Sequence, residues 1–465
     1  MGITNSTEES MPERLLNESF TNRSKAILMQ MASMSFAAMT LTTLVSLPST
    51  TAKGQDTFAI TNARIETATK DGVIESGTLV VKDKKIIAVG KDAKIPLDAA
   101  IINAKGSTIV PGIVDPYFVV SIGRNVQSTP ARTIVFNGRT FVIGGGTTRI
   151  ATTFAKVADG LDTESVDWKP ALRSGITTMH LTTGGFAQSA IAQPGPSEQT
   201  EFGVEIVQRD GLLVSTASNE TSSLEVLRKG LAKKASSGGT PVRGRPTPEQ
   251  MAAMRARMMG ARGSTPPSSS SAASSNSSAN PVDQLWESVK AGKQSLFVNV
   301  DNASSVLHVQ QIAKGQEKAK IALIVSGANA FLNLETLPDG NYTLVLPPRI
   351  DLKPNSATRV NVPALLANNK IPFCFSLSLG QSDFRAMQHN PFFALGMLVK
   401  TGLDRELALK ALTAEPAKLI GMEDQIGTIA EGKQASFLIL DGDPFAATTE
   451  IEAVYSRGAR IDDEI

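Results

Sequence analysis

The sequence predicts an α/β protein in which a parallel sheet, open or closed into a barrel, is joined to a small β-module. The middle of the chain alternates short apolar strands with helical stretches, whereas both ends contain short alternating runs separated by turns. The 465 residues, 41% hydrophobic and 19% charged, can bury a large core. Residues 113–420 are long enough for eight strand–helix units, which need about 250 residues.

The β-module is predicted from both chain ends. Near the N-terminus the runs FAITNARI, GTLVVKD and KKIIAVG are separated by charged turns, which is typical of antiparallel hairpins. Near the C-terminus the runs IGTIAEGKQASFLILDGDPF and EIEAVYSRGARI contain strands with Gly and Asp turns. Residues 57–112 and 421–465 are therefore predicted to form one composite module.

The central region is predicted to be strand, helix, strand in repeated units. SGITTMHLTT, LFVNV, IALIVSG and NYTLVLPP are strand-like, and SSVLHVQQIAKGQEK has apolar residues at helical spacing. Strands separated by helices run parallel in one sheet. Residues 113–420 are therefore predicted to be one α/β domain.

Residues 1–56 are predicted to be a leader. Arg23 and Lys25 precede a stretch without charge, residues 26–52, that ends in small residues. This layout is typical of a secretory signal and predicts export to the periplasm or cell envelope. The alternatives are a membrane anchor formed by the same segment and a cytosolic tail.

An insertion at 236–281, rich in Ser, Gly, Pro and Arg, is predicted to be disordered. The alternative is a basic docking segment that folds as a Met-rich helix on a partner. The formal net charge of +2 gives no reason to expect nucleic acid as a partner. The single cysteine, Cys374, excludes an intramolecular disulfide and is predicted to be a buried small hydrophobe.

Three segments carry a resemblance to a known family. GSTIVPGIVD (106–115) resembles the first barrel strand of the amidohydrolase superfamily, and WKPALRSGITTMHL (168–181) resembles its next unit. Residues 403–445 resemble its closing helix and the turn that follows, with a threonine, Pro-Ala-Lys and Ile-Gly-x-Ile. The resemblance, nearest to imidazolonepropionase-like metal-dependent hydrolases, implies a TIM-type (β/α)8 barrel plus a small β-sandwich module built from both chain ends.

The resemblance also implies a site at the C-terminal mouth of the barrel. In that family imidazoles and a carboxylate hold zinc or another divalent metal, which activates a water, and an aspartate at the last strand takes its proton. The family's first-strand His-x-His falls on Tyr117 and Val119. Its later histidines fall on Asn299 and near Ser326, and its aspartate falls on or beside Ser378.

Every metal ligand that the resemblance implies is therefore replaced. No lysine fits the bridging position on the fourth strand, where GVEIVQRDGLLVS is the nearest stretch. The three histidines, His180, His308 and His389, form no pair at ligand spacing and are predicted to be packed or solvated side chains. The sequence thus predicts no bound metal and no catalytic residue at the family site.

Two other chemistries are suggested by short stretches of the sequence. A Ser/His/Asp arrangement could come from Ser376 or Ser378 with Asp383 and His389, but SLSLG is not a nucleophile-elbow sequence. The glycine run at 142–149 lacks the context of a phosphate-binding loop and is predicted to be a hairpin tip. Neither is favoured.

The sequence therefore predicts a catalytically inactive pseudoenzyme that acts by binding or assembly. The five replaced positions are predicted to line a polar pocket for a small neutral ligand. The chain is expected to form a homo-oligomer, or a hetero-oligomer with an active homologue. The alternative is an active hydrolase that cleaves C–N bonds in cyclic amides or dipeptides.

Overall fold

A computed structural model describes part of the chain. The residues described are 57–122, 132–136, 139–143, 154–163, 168–196, 203–217, 221–232, 281–325, 341–353, 355–379 and 391–461. The predicted leader and residues 236–280 of the predicted insertion lie outside them. Within the described residues, no helix is both long and apolar enough to span a bilayer.

Strands from both chain ends form one sheet. Its order is β23-β22-β21-β5-β1-β2-β3, and β4 pairs with β1. Neighbours are antiparallel except that β4 and β5 run parallel to β1, so the described module is a single mixed sheet. Its strands are β1 (Thr57–Glu66), β2 (Val73–Lys82), β3 (Lys85–Gly90), β4 (Ala100–Asn103), β5 (Thr108–Pro111), β21 (Phe437–Leu440), β22 (Ile451–Ser456) and β23 (Ala459–Ile461).

Two further sheets form the centre of the molecule. The first, in the order β13-β12-β10-β6, contains β6 (Ile113–Val119), β10 (Ile176–Thr182), β12 (Ala190–Gly195) and β13 (Gly203–Gln208). In the second, β20-β17-β16-β15-β14 are successive parallel neighbours, followed by β11 and β9. Its strands are β9 (Ala155–Lys156), β11 (Ala187–Gln188), β14 (Leu213–Ala217), β15 (Ser295–Val300), β16 (Lys320–Val325), β17 (Tyr342–Leu346) and β20 (Phe373–Phe375).

Two short hairpins complete the strands, β7 (Arg132–Phe136) with β8 (Arg139–Ile143), and β18 (Asp351–Leu352) with β19 (Arg359–Val360). In the first hairpin Phe136 pairs with Arg139, and β8 ends at Ile143. Residues 144–149 of the glycine run, which was predicted to be a hairpin tip, lie outside the described residues.

Helices cover the outer side of the central sheets. Several begin at a polar side chain that accepts a hydrogen bond from the first turn, namely Asn302, Asn361 and Asp404. The helices are α1 (Val157–Gly160), α2 (Lys169–Arg173), α3 (Thr221–Leu231), α4 (Pro281–Lys290), α5 (Ala303–Ala313), α6 (Val362–Asn368), α7 (Pro391–Lys400), α8 (Arg405–Leu412) and α9 (Ala414–Leu419).

The two central sheets share one apolar interior. Along β16, Ala322 and Ile324 lie in the interior cluster, whereas Leu323 packs in the outer layer with the helices, as strand alternation requires. The same interior cluster takes Val114 from β6 and Phe297 from β15, which belong to different sheets. The sheets therefore enclose a common core, although their described strands are not joined in one continuous ladder.

Close packing within the closing segment, residues 403–445, requires small residues. Gly427 has a φ of +87°, a conformation that L side chains rarely adopt. A Cβ at this position would lie 2.6 Å from Ala417 Cβ and 2.8 Å from Thr413 O. Thr413, Ala417 and Gly427 are thus packed too closely for larger side chains, which gives the closing motif a steric cause.

Candidate functional site

Pro116 distorts β6 at the point where the candidate site begins. Asp115 pairs with Met179 and Phe118 with Leu181, so two residues of β6 oppose one residue of β10. Proline has no N–H to give to a ladder, and an extra residue in one strand is a β-bulge. The bulge leaves the Pro116 carbonyl and the polar groups of Tyr117 to be bonded by side chains.

Asp115 connects β6 to the end of β20. Its Oδ1 accepts hydrogen bonds from Ser376 Oγ at 2.7 Å and from the Tyr117 N–H at 3.0 Å, and its Oδ2 accepts one from the Ser378 N–H at 2.9 Å. The carboxyl is fully buried, and burial raises its pKa, although these hydrogen bonds act in the opposite direction. We call this group, Asp115, Tyr117, Ser376 and Ser378, the first seam.

Tyr117 is held by its main chain and carries an unpaired hydroxyl. Ser378 Oγ donates to the Tyr117 carbonyl at 2.6 Å, and Ser376 Oγ lies 3.3 Å from the same oxygen. The side chain is 2% exposed, and within the described part of the chain its Oη has no hydrogen-bond partner. Burial raises the pKa of this phenol, and the Asp301 carboxylate adds to the effect, so the hydroxyl stays protonated.

A second seam connects β10 to the start of β14. His180 Nδ1 lies 2.7 Å from the Pro116 carbonyl, and its Nε2 lies 2.5 Å from Ser189 Oγ. Ser189 Oγ also accepts from the Leu212 N–H at 2.8 Å. A carbonyl cannot donate, so Nδ1 carries the proton. The Ser189 hydroxyl has two acceptors within reach, Nε2 of neutral His180 and the Leu212 carbonyl at 3.0 Å. The Leu212 carbonyl already accepts from the Ser189 N–H, so the hydroxyl is assigned to Nε2. Every polar group of this second seam is satisfied with His180 neutral.

Protonation of His180 is predicted to destabilise the fold. Burial lowers the pKa of His180 to about 4, against the Pro116 hydrogen bond, which raises it. The unfolded pKa is about 6.5. Neutral His180 therefore contributes fully to the free energy of unfolding above about pH 6.5. This contribution is lost as the pH falls toward 4, by up to about 1.4 kcal/mol per pH unit.

The measurement is the free energy of unfolding by denaturant between neutral pH and about pH 4.5. Asp115 acts in the opposite direction, because its raised pKa favours the fold at lower pH. The wild type is therefore compared with His180→Gln, which should lack the His180 slope, and with His308→Gln on α5 as the control. Parallel pH dependence in the wild type and His180→Gln would contradict the assignment.

The structure places the predicted site residues unequally. Ser378 and Tyr117 are brought into direct contact in the first seam. Val119 ends β6 with 52% of its surface exposed, and Asn299 is half-buried on β15. Ser326 lies outside the described residues, as do Asp383 and His389 of the alternative Ser/His/Asp arrangement.

Four residues of the region were not identified as site residues from the sequence. Asp115 entered only as the last residue of the segment that resembles the first barrel strand, and Ser189 and Asp301 were not singled out. Ser376 was considered only as a nucleophile, yet it is buried and bonded to Asp115. An ionisable residue directly before a proline in an apolar strand, and the Ser-x-Ser spacing after β20, were the available signals.

The donor groups of this region do not fit a divalent metal. A metal ligand must be available in its deprotonated form with a free lone pair. The Tyr117 phenol stays protonated, and the Val119 side chain has no atom that can bind a metal. Both carboxyl oxygens of Asp115 and both ring nitrogens of His180 already take part in hydrogen bonds. Burial raises the pKa of the Cys374 thiol well above its ordinary value, as predicted for a buried hydrophobe. The described residues contain no group of three His, Cys, Asp or Glu side chains suited to a metal.

Comparison with known proteins places these features in context. Residues 389–462 match the model of the Amidohydrolase family. The imidazolonepropionase of Streptomyces avermitilis is 28% identical over 149 residues, which are 30% of this chain and 35% of that protein. The imidazolonepropionase of Streptomyces griseus is 30% identical over 115 residues, 24% of this chain and 29% of that protein. The matched segments thus span about a third of the length of these relatives.

The fold can be compared over most of the chain. The crystal structure of an amidohydrolase from Thermotoga maritima superposes with a TM-score of 0.61 at 18% identity, covering 87% of this chain and 99% of that one. The two therefore share the α/β fold with an additional domain. The match of residues 389–462 to the Amidohydrolase family model and the two imidazolonepropionase relatives support membership of the amidohydrolase superfamily.

Proposed function

We propose that this chain is a catalytically inactive amidohydrolase that acts by binding, within a closed (β/α)8 barrel. The observation that carries the proposal is the contact between Tyr117 and Ser378. The resemblance assigns a metal-ligating histidine to the first position and the proton-accepting aspartate to the second. Here the Ser378 hydroxyl donates to the Tyr117 main chain at 2.6 Å, so the pair joins two strands.

The chemistry of these groups supports the proposal. Hydrolysis in this superfamily needs an ion that lowers the pKa of water to near neutral and a carboxylate that takes the proton. A protonated phenol and a valine are poor substitutes for two imidazoles. A serine hydroxyl is a far weaker base than a carboxylate. The buried carboxylate of Asp115 is fully engaged with three donors.

The two seams support the closed barrel. The strands β6 and β20 carry the first and last positions of the barrel that the resemblance implies. Asp115 bridges them although they are not ladder neighbours. His180 and Ser189 bridge β10 and the start of β14 in the same manner. Side-chain hydrogen bonds would then help to complete the ring at these two places, and at the second place main-chain bonds between Ser189 and residues 211–212 contribute as well.

The proposal predicts that the purified full-length chain holds no stoichiometric metal. Elemental analysis after expression in zinc-supplemented medium should find sub-stoichiometric metal, and a chelator should leave the melting temperature unchanged. A site filled at a hundred times its Kd would add about 2.7 kcal/mol of stability, which a thermal melt detects. The chelator-treated sample provides the baseline.

The rival function is an active hydrolase of C–N bonds. Stoichiometric zinc that a chelator removes, together with chelator-sensitive hydrolysis of cyclic amides or dipeptides, would establish it and refute the proposal. Assembly with an active homologue is a second non-catalytic role. Increased activity of such a homologue on mixing, with co-elution of the two chains, would identify that role.

A further inference from the structure

Tyr117 is fixed more firmly than a packed core residue requires. The carbonyl before it accepts from His180, its own N–H donates to Asp115, and its own carbonyl accepts from Ser378. These three side chains come from three different places in the fold, namely β10, β6 and the segment after β20. The main chain at Tyr117 is therefore fixed before anything binds, and the ring it carries is 2% exposed, which lowers the entropic cost of binding.

The hydroxyl at the end of this ring is buried and has no partner among the described residues. An unpaired buried hydroxyl is costly, and native proteins keep few of them without a reason. The hydroxyl lies close to the surface at Gly184 and Val119. A Cβ added to Gly184 would lie 3.7 Å from Tyr117 Oη and 3.8 Å from Val119, which is ordinary contact distance. Val119 is half exposed, so Oη lies one contact layer below the surface.

The charge near this hydroxyl restricts what it can bind. Asp301 directly follows β15 and is exposed. In the proposed barrel β6 and β15 run parallel, so their carboxyl ends would place Asp301 and Tyr117 at the same mouth. The effect of the Asp301 carboxylate on the phenol agrees with this placement. A neutral donor beside a carboxylate favours an uncharged acceptor and disfavours an anion.

We propose that Tyr117 Oη donates a hydrogen bond to an uncharged carbonyl oxygen of a small ligand that enters over Gly184 and Val119. This inference rests on the proposed binding function and specifies the ligand class. The nearby Asp301 carboxylate weakens the binding of carboxylates and phosphates. The ligand displaces the Gly184–Gly185 segment, whose N–H groups make only local bonds of 3.2 and 3.4 Å to Thr182 and Thr183.

The test follows the tyrosine signals by NMR. The chain has only three tyrosines, Tyr117, Tyr342 and Tyr455, so labelling the ring Cζ with ¹³C gives three resonances, and Tyr117→Phe assigns the one of interest. The probes are acetamide and benzamide, each paired with its anionic counterpart, acetate or benzoate. We expect a neutral probe to shift the Tyr117 resonance in a saturable manner, with the anion of the pair binding about threefold to tenfold more weakly.

Variants distinguish the effect of the Tyr117 hydroxyl on ligand binding from any effect on the stability of the fold. Tyr117→Phe should weaken the neutral probe about fivefold to tenfold, and it should not lower the melting temperature because the lost hydroxyl has no partner. Tyr342→Phe, a second buried tyrosine that packs in the outer layer, is the matched control and should leave affinity unchanged. Asp301→Asn should remove the preference for the neutral member of each pair.

Each remaining result overturns the inference. If neither neutral probe moves the Tyr117 resonance, the hydroxyl is satisfied by water alone. If the anions bind as well as the neutral probes, or if Tyr117→Phe binds as tightly as the wild type, the ligand class is wrong. Titrations are run with chelator-treated and zinc-supplemented protein. Metal-dependent hydrolysis refutes the proposed function, whereas absent probe binding without any hydrolysis refutes only this inference.

Discussion

Replacing Asp115 by alanine is expected to lower the free energy of unfolding by about 3–5 kcal/mol. The substitution removes the acceptor for the Tyr117 N–H, the Ser378 N–H and the Ser376 hydroxyl, all within 3.0 Å of the carboxylate. The Tyr117 N–H would remain buried without a partner, which costs more than its bond contributed, and the half-buried Ser378 N–H would lose its acceptor. The Ser376 hydroxyl would keep only longer contacts of 3.2 and 3.3 Å to Ser378 Oγ and the Tyr117 carbonyl. Chemical denaturation monitored by circular dichroism measures the change.

Two companion variants test the cause of this loss. Ser376→Ala removes one donor and should cost about 1–2 kcal/mol. Asp115→Asn preserves the shape of the side chain, but in either orientation of the amide its NH2 group faces a main-chain N–H. Its loss in free energy of unfolding should therefore fall between those of Ser376→Ala and Asp115→Ala. A loss below about 1 kcal/mol for Asp115→Ala would contradict the first seam as a stabilising contact.

Replacing Gly211 by alanine is expected to cost about 3–4 kcal/mol. A Cβ at Gly211 would lie 2.2 Å from the Ser189 carbonyl oxygen, a main-chain atom that no rotamer change can move. The strand start would shift and break the 2.8 Å hydrogen bond from Leu212 to Ser189 Oγ, on which His180 depends. The free energy of unfolding is again the measurement.

Gly185→Ala is the matched control for this prediction. Gly185 has ordinary backbone angles, and the nearest atom to an added Cβ is Thr183 Oγ1 at 3.9 Å. Its substitution should change stability by less than about 1 kcal/mol. Equal losses in the two variants would show that the effect comes from the loss of glycine flexibility and not from the contact with Ser189.

Strand and helix identity was largely predictable from sequence because the central units have clear periodicity. LFVNV, IALIVSG and NYTLVLPP form β15, β16 and β17, and the helical run after LFVNV forms α5. The arrangement of the sheets was less predictable. Strand partners depend on contacts between residues distant in sequence, which apolar patterns do not encode, and Pro116 interrupts the pairing that a regular barrel would have.

Residues of the site were predictable only at positions that align with a motif of the family. Tyr117 and Ser378 were selected as replaced ligand positions, and the structure places them in contact. Asp115 and Ser189 were not selected because their role is to satisfy buried polar groups, and that role depends on which backbone atoms the bulge exposes. Burial of a carboxylate in an apolar strand is a consequence of three-dimensional hydrogen bonding, for which a single sequence carries little signal.

The first seam also determines when β6 can finish folding during synthesis of the chain. Asp115 and its partner Ser376 are 261 residues apart, so β6 leaves the ribosome long before the strand that closes onto it has been synthesised. Until then the carboxylate remains hydrated and ionised, and its burial is postponed to the end of translation. Loop closure over such a span is slow. The apolar strand β6 then carries a hydrated charge, and a charge on an open strand disfavours edge-to-edge pairing with other chains.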